Sequence, residues 1–340
     1  MTTPCILCGN TTHNRLYTVK ELQLGLDEYF EYQLCGSCGS MQLQNVPENL
    51  GKYYPNEDYY SFKLDIHIRK KADTLRKIKA DYLLFGKNKL LGGLLSIGYK
   101  MPEQFQWMKD VGAKYNDAIL DIGTGNGSLL ARLFQVGFTN LTGIDPFINT
   151  SHDYGSIKIL KKDIYEVTGQ YDVVMMHHSL EHMFQPQQVL EQAMKITNPG
   201  GSVLVRIPIM GNYGWEQYGV FWCGIDAPRH IFIPSEQQLR TLAENAGFIV
   251  EKLYYDSSDY LIWSSEQYKK GMPLHDPKSH MFNRDGSSMF SKEDIKRFRA
   301  IMKKENEKGN GDTAVICLRK PLINPAFPAT LFADFDDAAK

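Results

Sequence analysis

Residues 118–130, with the sequence AILDIGTGNGSLL, constrain the fold of this chain more than any other segment. An apolar run ends at Ile122, glycines follow at Gly123, Gly125 and Gly127, and an amphipathic run comes next. Alternate glycines let the backbone turn sharply from a strand into a helix, and they leave bare amides facing a crevice at the carboxyl edge of a parallel sheet. The segment therefore predicts a strand, a ligand-binding turn and a helix. The alternative is a tight strand-to-helix connection without a ligand.

Short apolar runs separated by helix-forming stretches continue on both sides of this turn, which is typical of βαβ units. Predicted strands lie at 118–122, 141–144, 157–160, 173–176, 203–207, 248–255 and 313–318. The spacing of the first five suits crossover helices. We therefore predict an α/β fold built on seven strands, most of them parallel.

Acidic residues stand at three of these strand ends. Asp121 precedes the glycine turn, where it disfavours the phosphate that the dinucleotide pattern Gly-x-Gly-x-x-Gly binds and suits a cation such as the sulfonium of S-adenosylmethionine. Asp145 ends the next apolar run and can accept hydrogen bonds from both hydroxyls of a ribose. Asp163 follows the third run and can accept from an adenine amino group.

The motifs DIGTGNG, GIDP, KKDI, YDVVMMHHSLEHM and NPGGSVLV, in this order, resemble those of class I S-adenosylmethionine-dependent methyltransferases over roughly residues 115–321. The resemblance implies a Rossmann-like seven-stranded, mostly parallel sheet with an antiparallel last strand, and methyl transfer from S-adenosylmethionine. The cofactor-binding residues that it implies are Asp121, Ile122, Gly123, Thr124, Gly125, Asp145, Pro146, Asp163, Ile164 and His177.

The fourth motif places ionisable side chains just past a strand end, facing the predicted cofactor site. If a helix begins at Ser179, then His178, Glu181 and His182 share one face. A histidine titrates near neutral pH, so His178 or His182 is a candidate base for a substrate hydroxyl, with Glu181 beside it. The alternative is that all three only cap the helix and orient the loop.

The same spacing resembles the Glu-x-x-Glu-His metal site of some ubiquinone-pathway and small-RNA 3′-end methyltransferases, with His178 in place of the first glutamate. This resemblance leaves open a second metal held by His178, Glu181 and His182.

Residues 211–235 crowd aromatic side chains beside Asp226, Arg229 and His230. Stacking faces and hydrogen-bond partners suit a sugar or another ring-bearing substrate, and His230 joins the catalytic candidates. The alternative is a folded loop held by an aromatic cluster. Asp-x-Pro-Arg-His resembles bacterial methyltransferases of surface polysaccharides and modified sugars, which implies O-methylation of a sugar or glycan precursor, either nucleotide- or lipid-linked.

Four of the six cysteines form two close pairs near the N-terminus, Cys5-x-x-Cys8-Gly and Cys35-x-x-Cys38-Gly. Cytosolic thiols stay reduced, so such pairs are more often metal ligands than disulfides. Four thiolates suit tetrahedral zinc and leave no open position, so we predict a structural site, with a redox pair as the alternative. This module and the tyrosine-rich linker after it also resemble sugar C-methyltransferases, which makes C-methylation the second hypothesis.

We predict a zinc-binding module at 1–45, a helical linker or cap at 46–114, a methyltransferase domain at 115–321 with a helical insertion at about 257–312, and a tail at 322–340. A helix is predicted over 65–89. Its basic face either is solvated or binds phosphate or a membrane surface.

The net charge and the hydropathy of the chain limit the classes of partner that it can bind. The chain has 38 basic and 39 acidic residues and a net charge of −1, so no global field draws it onto nucleic acid. No run of about 18 apolar residues and no leader pattern is present, so we expect no transmembrane segment and a cytoplasmic location. A nucleic-acid methyltransferase, a non-catalytic cofactor-binding protein and, last, a dehydrogenase remain as rivals.

Overall fold

The computed structural model describes residues 3–54 and 73–322. The strands in these residues are β1 (Arg15–Lys20), β2 (Tyr29–Leu34), β3 (Met41–Leu43), β4 (Ile119–Ile122), β5 (Leu141–Ile144), β6 (His152–Asp153), β7 (Ile157–Leu160), β8 (Tyr171–His177), β9 (Thr197–Pro208), β10 (Phe232–Ile233), β11 (Ile249–Tyr255) and β12 (Thr313–Arg319). The α-helices are α1 (Thr74–Phe85), α2 (Lys89–Leu95), α3 (Glu103–Asp110), α4 (Ser128–Gln135), α5 (Pro186–Ile196), α6 (Tyr213–Tyr218), α7 (Glu236–Asn245), α8 (Asp259–Lys269) and α9 (Lys292–Glu307).

The larger sheet has the order β11-β12-β9-β8-β4-β5-β7-β6. Strands β9, β8, β4, β5 and β7 run parallel, and β12 lies antiparallel between β9 and β11. The predicted Rossmann-like, mostly parallel sheet with an antiparallel last strand is thus confirmed. The sheet has eight strands rather than the seven predicted, because the chain turns back after β6 and pairs His152 and Asp153 antiparallel with β7. Two residues are too few to produce a recognisable sequence pattern.

Helices cover both faces of this sheet, so its central strands are apolar on both sides. All four residues of β4 are buried. Leu120 and Ile122 pack into a core with α5, α7, α8 and α9, whereas Ile119 packs into a second core with α1, α3 and α4. This arrangement leaves the carboxyl ends of the parallel strands as the edge where loops can form a site.

The smaller sheet has the order β1-β2-β3-β10 and is antiparallel throughout. Its last strand, β10, comes from residues that follow the aromatic segment, and Phe232 and Ile233 pair with Gln42 and Met41. The N-terminal sheet is therefore completed from outside the predicted 1–45 module, and Tyr32 and Met41 share one core with the larger sheet.

The helix predicted over 65–89 corresponds to α1 and the start of α2. Asp73 caps α1 by accepting from the amides of Leu75 and Arg76, and Gly86 ends it with a positive φ of 63°. Residues 65–72 of the prediction lie outside the described residues, and so does all of the predicted tail except Leu322.

The predicted helical insertion at about 257–312 contains α8 and α9, which residues 270–291 connect. Across 3–54 and 73–322, no helix is long and apolar enough to cross a membrane.

Candidate active site

A cavity of about 1060 Å³ opens at the carboxyl edge of the parallel strands. Its wall begins at the glycine turn after β4 and continues through the loops that follow β5, β7, β8 and β9. Of the predicted cofactor residues, those on the wall are Ile122, Gly123, Gly125, Asp145, Pro146, Asp163, Ile164 and His177. The cavity is large enough for a nucleoside and a second molecule beside it.

The glycine turn packs directly against the fourth motif. A Cβ on Gly123 would lie 2.5 Å from Cβ of Ser179, and the φ of Gly123 is +76°. The Ser179 hydroxyl donates to the carbonyl of Ile122 over 2.8 Å. Only glycine fits at position 123, so the sequence pattern has a steric cause here.

Asp145 lies at the end of β5 with its carboxylate across the turn. Its Oδ2 accepts from the amide of Gly125 over 3.1 Å and its Oδ1 from the amide of Phe147 over 2.9 Å. Burial raises the pKa of this carboxyl, although the two amide hydrogen bonds oppose the shift. The carboxylate is held rigidly at the cavity wall, where the sequence predicted a ribose ligand.

Asp121 and Thr124, also predicted to bind the cofactor, are not on the cavity wall. The Asp121 side chain is buried and accepts from the Thr124 hydroxyl over 2.9 Å. Burial raises the pKa of Asp121 to about 7. The structure therefore gives Asp121 an internal partner in place of the cationic ligand that the sequence suggested.

The loops after β5 and β7 form one end of the cavity. Asp163 accepts from the amide of Tyr165 over 3.0 Å and caps a short 3-10 turn, while Ile164 is buried beneath it. In the loop after β5, the ring of Phe147 stacks on the ring of Tyr54, with the two centroids 5.9 Å apart. This end offers flat apolar faces beside an acceptor, which are the features that a purine base requires.

The fourth motif is folded differently from the expectation. Instead of a helix beginning at Ser179, residues Leu180–His182 form a 3-10 turn, and α5 begins only at Pro186. His177 ends β8 with both ring nitrogens buried and without a hydrogen-bond partner in the described chain. Its ring packs against Trp107 at 4.4 Å, and burial holds the pKa of His177 well below its usual value.

His178 uses both ring nitrogens within the protein. Its Nε2 lies 2.5 Å from Nη1 of Arg206, and a guanidinium can only donate, so this nitrogen accepts. Nδ1 then carries the proton and donates to Oε1 of Glu181 over 3.2 Å. The side chain joins the cation of Arg206 to the carboxylate of Glu181, and no lone pair is left for a substrate proton.

His182 and His230 have the same tautomer as His178, but their Nδ1 atoms donate to main-chain carbonyls. Nδ1 of His182 donates to the carbonyl of Arg229 over 2.9 Å, and Nδ1 of His230 donates to the carbonyl of Gly224 over 2.8 Å. In each ring the lone pair is therefore on Nε2. Burial and the neighbouring His230 lower the pKa of His182, so it is neutral near pH 7.

Glu181, His182 and His230 form a compact group whose candidate ligand atoms all lie within 4.8 Å of one another. The sequence suggested His178, Glu181 and His182 as ligands of a second metal. In the structure, His230 and not His178 lies close enough to Glu181 and His182. Glu181 is fully buried, and its Oε2 has no hydrogen-bond partner among the described residues. Burial opposes ionisation, but the hydrogen bond from His178, and the positive charge that His178, His230 and His182 carry when protonated, hold the pKa of Glu181 below its usual value.

The aromatic segment around Asp226 mostly builds the core. Trp222 is buried and donates to Asp312 over 2.7 Å, and Trp215 packs edge-on against Tyr17 of β1. Neither tryptophan lines the cavity, although Asp226 and His230 do. The alternative of a folded loop held by aromatic packing therefore describes these tryptophans, and the stacking role proposed for them in substrate binding is not supported.

Arg229, predicted as a substrate contact, is an internal anchor. Its guanidinium is completely buried, forms a forked ion pair with Asp226 and donates to the carbonyl of Tyr53 over 3.1 Å. It also donates to the side chain of Gln23. The charge of Arg229 outweighs burial and lowers the pKa of Asp226 to about 2. This ion pair fixes the segment that carries His230.

The four paired cysteines converge at the far side of the small sheet. Sγ of Cys5 lies 3.7 Å from Sγ of Cys38, and Sγ of Cys8 lies 3.6 Å from Sγ of Cys35. These separations match the edges of a tetrahedron of sulfurs around zinc. The hydrogen bond from Cys5 lowers the pKa of the Cys38 thiol to about 4 and raises the pKa of Cys5, so one thiolate is already favoured.

Tyr32 of the N-terminal module and Tyr54 just after it reach the histidines of the cavity. The hydroxyl of Tyr54 lies 3.1 Å from Nδ1 of His182, and the Tyr32 hydroxyl donates to the carbonyl of His230 over 2.9 Å. Sequence reasoning missed Tyr54, Phe147 and Arg206 as site residues. The position of Phe147 directly after Asp145-Pro146, and that of Arg206 near the end of a strand, could have suggested these two residues. The contact between Tyr54 and His182 spans 128 residues and has no local sequence signal.

The strand order, the glycine turn and the carboxylate after β5 define a class I methyltransferase fold. More particularly, residues 97–253 match the family model described as Methyltransferase domain. The protein carries an S-adenosylmethionine-dependent methyltransferase domain.

Curated relatives match over part of this domain. The chain is 30% identical over 117 residues to the ubiquinone biosynthesis O-methyltransferase of Pseudomonas aeruginosa, covering 31% of this chain and 50% of that protein. It is 53% identical over 45 residues to EEF1A lysine methyltransferase 2 of Danio rerio, covering 13% and 19%. The chain thus spans about half or less of the length of these relatives.

Solved structures are similar only at a distance. The cyclopropane synthase MmaA2 of Mycobacterium tuberculosis is 14% identical, with a TM-score of 0.43, 75% of this chain and 99% of that chain covered. A Burkholderia thailandensis 1,6-didemethyltoxoflavin-N1-methyltransferase is 12% identical, with a TM-score of 0.39, 72% and 87% covered. The fold is established by the strand order and the family match instead.

Proposed function

We propose that this protein transfers a methyl group from S-adenosylmethionine to a hydroxyl of a sugar or glycan precursor. The observation that carries the proposal is one cavity whose wall holds the glycine turn and Asp145 together with His182 and His230. The glycine turn and Asp145 fit a nucleoside, and the two histidines offer Nε2 atoms to an acceptor.

The residues present fit S-adenosylmethionine. The carboxylate of Asp145 would accept from the ribose hydroxyls, an outer face of the Phe147–Tyr54 stack would contact the adenine, and the glycine turn would lie along the methionine part. The amides of Gly123, Thr124, Gly125 and Gly127 already donate within the protein, so the turn offers close approach of the backbone and not bare amides. The cofactor would supply an electrophilic methyl group: a bond would form between the acceptor oxygen and the methyl carbon as the carbon–sulfur bond breaks and S-adenosylhomocysteine leaves.

The protein would take the proton of the acceptor hydroxyl on Nε2 of His182 or His230. His182 is neutral because burial depresses its pKa, and both rings are oriented by main-chain carbonyls. Base assistance of this kind contributes about 10²–10⁴-fold, and alignment of the reactants supplies much of the remaining rate. His178, whose nitrogens are both occupied, would position Glu181 and Arg206.

The acceptor end of the cavity supports a hydroxyl-rich substrate. The polar side chains on this part of the wall, beside the apolar Pro208 and Leu261, are Arg206, Asp226, Ser258, Tyr260, Asp312 and Thr313. The name of the P. aeruginosa relative supports oxygen as the methylated atom. Sugar C-methylation remains the second candidate, and both reactions use a deprotonated acceptor.

We further propose structural zinc at Cys5, Cys8, Cys35 and Cys38. The sulfur separations suit it, and four protein ligands leave no position for catalysis. As an alternative to a histidine base, a second metal at Glu181, His182 and His230 would use the two Nε2 atoms and Oε2 of Glu181, which has no hydrogen-bond partner among the described residues. Such a metal would polarise the acceptor oxygen.

Two measurements test the proposal. Calorimetric titration of the purified chain with S-adenosylhomocysteine should give saturable binding, and its absence would refute the methyltransferase function altogether. Label from methyl-labelled S-adenosylmethionine should then enter nucleotide-sugar or lipid-linked glycan fractions, and nuclear magnetic resonance of the product distinguishes an O-methyl from a C-methyl group. Label that enters only RNA or protein would leave the fold assignment intact and refute the sugar substrate.

A further inference from the structure

Helix α2 exposes its large apolar side chains and buries its glycine. Leu90, Leu91, Leu94 and Ile97, in α2 and the turn after it, are 93%, 51%, 66% and 76% exposed, and we call them the leucine ridge. On the opposite side, a Cβ at Gly92 would lie 2.6 Å from Cβ of Tyr82. The helix therefore packs its glycine against α1 and presents the ridge outward, which reverses the usual orientation of an amphipathic helix.

Basic residues precede and follow this ridge along the chain. Residues 74–102 contain six lysines and arginines, Arg76, Lys77, Lys79, Lys87, Lys89 and Lys100, and one acid, the buried Asp81. Asp81 is already engaged by Lys77, Asn88 and Tyr115. Lys87, Lys89 and Lys100 are exposed, and none of them forms an ion pair within residues 3–54 and 73–322. Arg76 and Lys77 pair with Asp73 and Asp81, so the lysines that lack an ion pair in the described part of the chain, Lys87, Lys89 and Lys100, carry the charge next to the ridge. An exposed apolar ridge with such lysines beside it is the pattern of an interfacial membrane anchor.

We propose that the leucine ridge and its lysines bind the surface of an anionic lipid bilayer, with the ridge inserted among the acyl chains and the lysines at the headgroups. The charge selects this partner, because a second copy of the chain would bring two equally basic surfaces together. A bilayer of anionic lipids compensates both features at once, since it accepts apolar side chains and supplies negative charge beside them.

The ridge is separate from the catalytic cavity. No residue between 73 and 121 lines that cavity, and α1 is fastened near the amino ends of the strands, where the amide of Asp73 donates to the carbonyl of Gln135 over 3.0 Å. Changes on the ridge should therefore leave cofactor binding unaffected, and the inference does not depend on the proposed substrate.

The test is co-sedimentation of the full chain with sucrose-loaded vesicles. We expect binding to phosphatidylcholine vesicles that contain roughly a third phosphatidylglycerol, at least tenfold weaker binding to phosphatidylcholine alone, and weaker binding when salt rises from ~0.1 M to ~0.5 M. The triple variant Leu90→Gln, Leu94→Gln, Ile97→Gln should lose at least tenfold in affinity for the anionic vesicles, and so should Lys87→Glu, Lys89→Glu, Lys100→Glu.

Matched controls alter equally exposed residues elsewhere. Phe282→Gln removes an aromatic ring that is 57% exposed, and Lys292→Glu, Lys296→Glu, Lys303→Glu makes the same charge change on α9. Both should bind vesicles as the natural chain does, and all variants should bind S-adenosylhomocysteine equally, which demonstrates folding. The proposal is overturned if the natural chain ignores anionic vesicles, if ridge and control variants bind alike, or if sedimentation reveals a dimer that the ridge variant abolishes.

Discussion

Asp121 and Asp145 are buried aspartates at the neighbouring strands β4 and β5, and their surroundings differ. Asp145 accepts from two amides at the cavity wall, whereas Asp121 is enclosed beside Thr124 and has a pKa of about 7. A carboxyl whose pKa rises on folding binds more protons in the folded state, so stability is lost as pH rises from its unfolded value toward the folded pKa. Asp121 thus costs stability at neutral and alkaline pH.

We predict that Asp121→Asn stabilises the protein at about pH 8, by roughly 1–3 kcal/mol, and has little effect near pH 4, where the folded-state carboxyl is protonated and the unfolded-state carboxyl is close to its own pKa. The amide keeps the shape of the side chain and an acceptor for Thr124. Denaturant unfolding at the two pH values measures the difference. Equal effects at both would contradict the assigned burial of the charge.

Asp145→Ala should weaken binding of S-adenosylhomocysteine by about 10- to 100-fold, because the ribose hydroxyls lose a charged acceptor. Asp153→Ala is the matched control: this exposed carboxylate also caps a local turn, accepting from Gly155 over 2.8 Å, but it does not line the cavity. Calorimetric titration of both variants separates loss of a ligand contact from loss of a turn cap. Comparable affinities would remove Asp145 from the cofactor site.

The hydrogen bonds of the three histidines predict two different kinetic outcomes. His182→Gln and His230→Gln should each lower kcat by about 10²-fold or more if that ring holds the proton, while His178→Gln should cost less than about tenfold. Because the base must be unprotonated and burial lowers the pKa of His182, the rate should rise with pH through a midpoint below 6.5 and then level off. The rate of His182→Gln should lose this acid limb. Retention of the limb in both single variants would exclude a histidine base.

At the scale of elements, the larger sheet could be predicted from the sequence because each strand leaves a local apolar run. The glycine turn was equally predictable, since Gly123 must admit Ser179. The histidine arrangement was not, because the tautomers depend on Arg206 and on the carbonyls of Arg229 and Gly224, which the fold brings together. Pairing of β3 with β10, about 190 residues apart, likewise had no local signal.

The pairing of β3 with β10 connects the cysteine module to the segment that carries His230. Cys38→Ser should reduce zinc content, lower the melting temperature and weaken S-adenosylhomocysteine binding by about threefold or more, because Tyr54 and the carbonyl of Tyr53 contact His182 and Arg229. Cys317→Ala, which alters a lone buried cysteine in β12, should retain full zinc by elemental analysis. Undiminished nucleoside binding by zinc-free Cys38→Ser would separate the module from the site.

On the scale of the whole molecule, one apolar core includes Tyr32 and Met41 of the small sheet together with Val205 and Ile207 of the large one. The buried Arg229 connects both parts by donating to Gln23, Tyr53 and Asp226. Exposing this guanidinium or removing one of its partners leaves a buried charge unpaired, which is costly. The two sheets should therefore not unfold independently.

We accordingly predict a single cooperative unfolding transition. Release of zinc, followed with a colorimetric chelator, should have the same denaturant midpoint as the fluorescence change of the tryptophans, of which Trp107, Trp222 and Trp263 are buried. Ligand that binds only the folded state should move both midpoints together, by about 2.7 kcal/mol when S-adenosylhomocysteine is present at 100 times its Kd. Zinc release at a lower denaturant concentration, with the fluorescence transition and its ligand shift unchanged, would mean that the module is an independent appendage and that its contacts with His182 and Arg229 contribute little to the stability of the site.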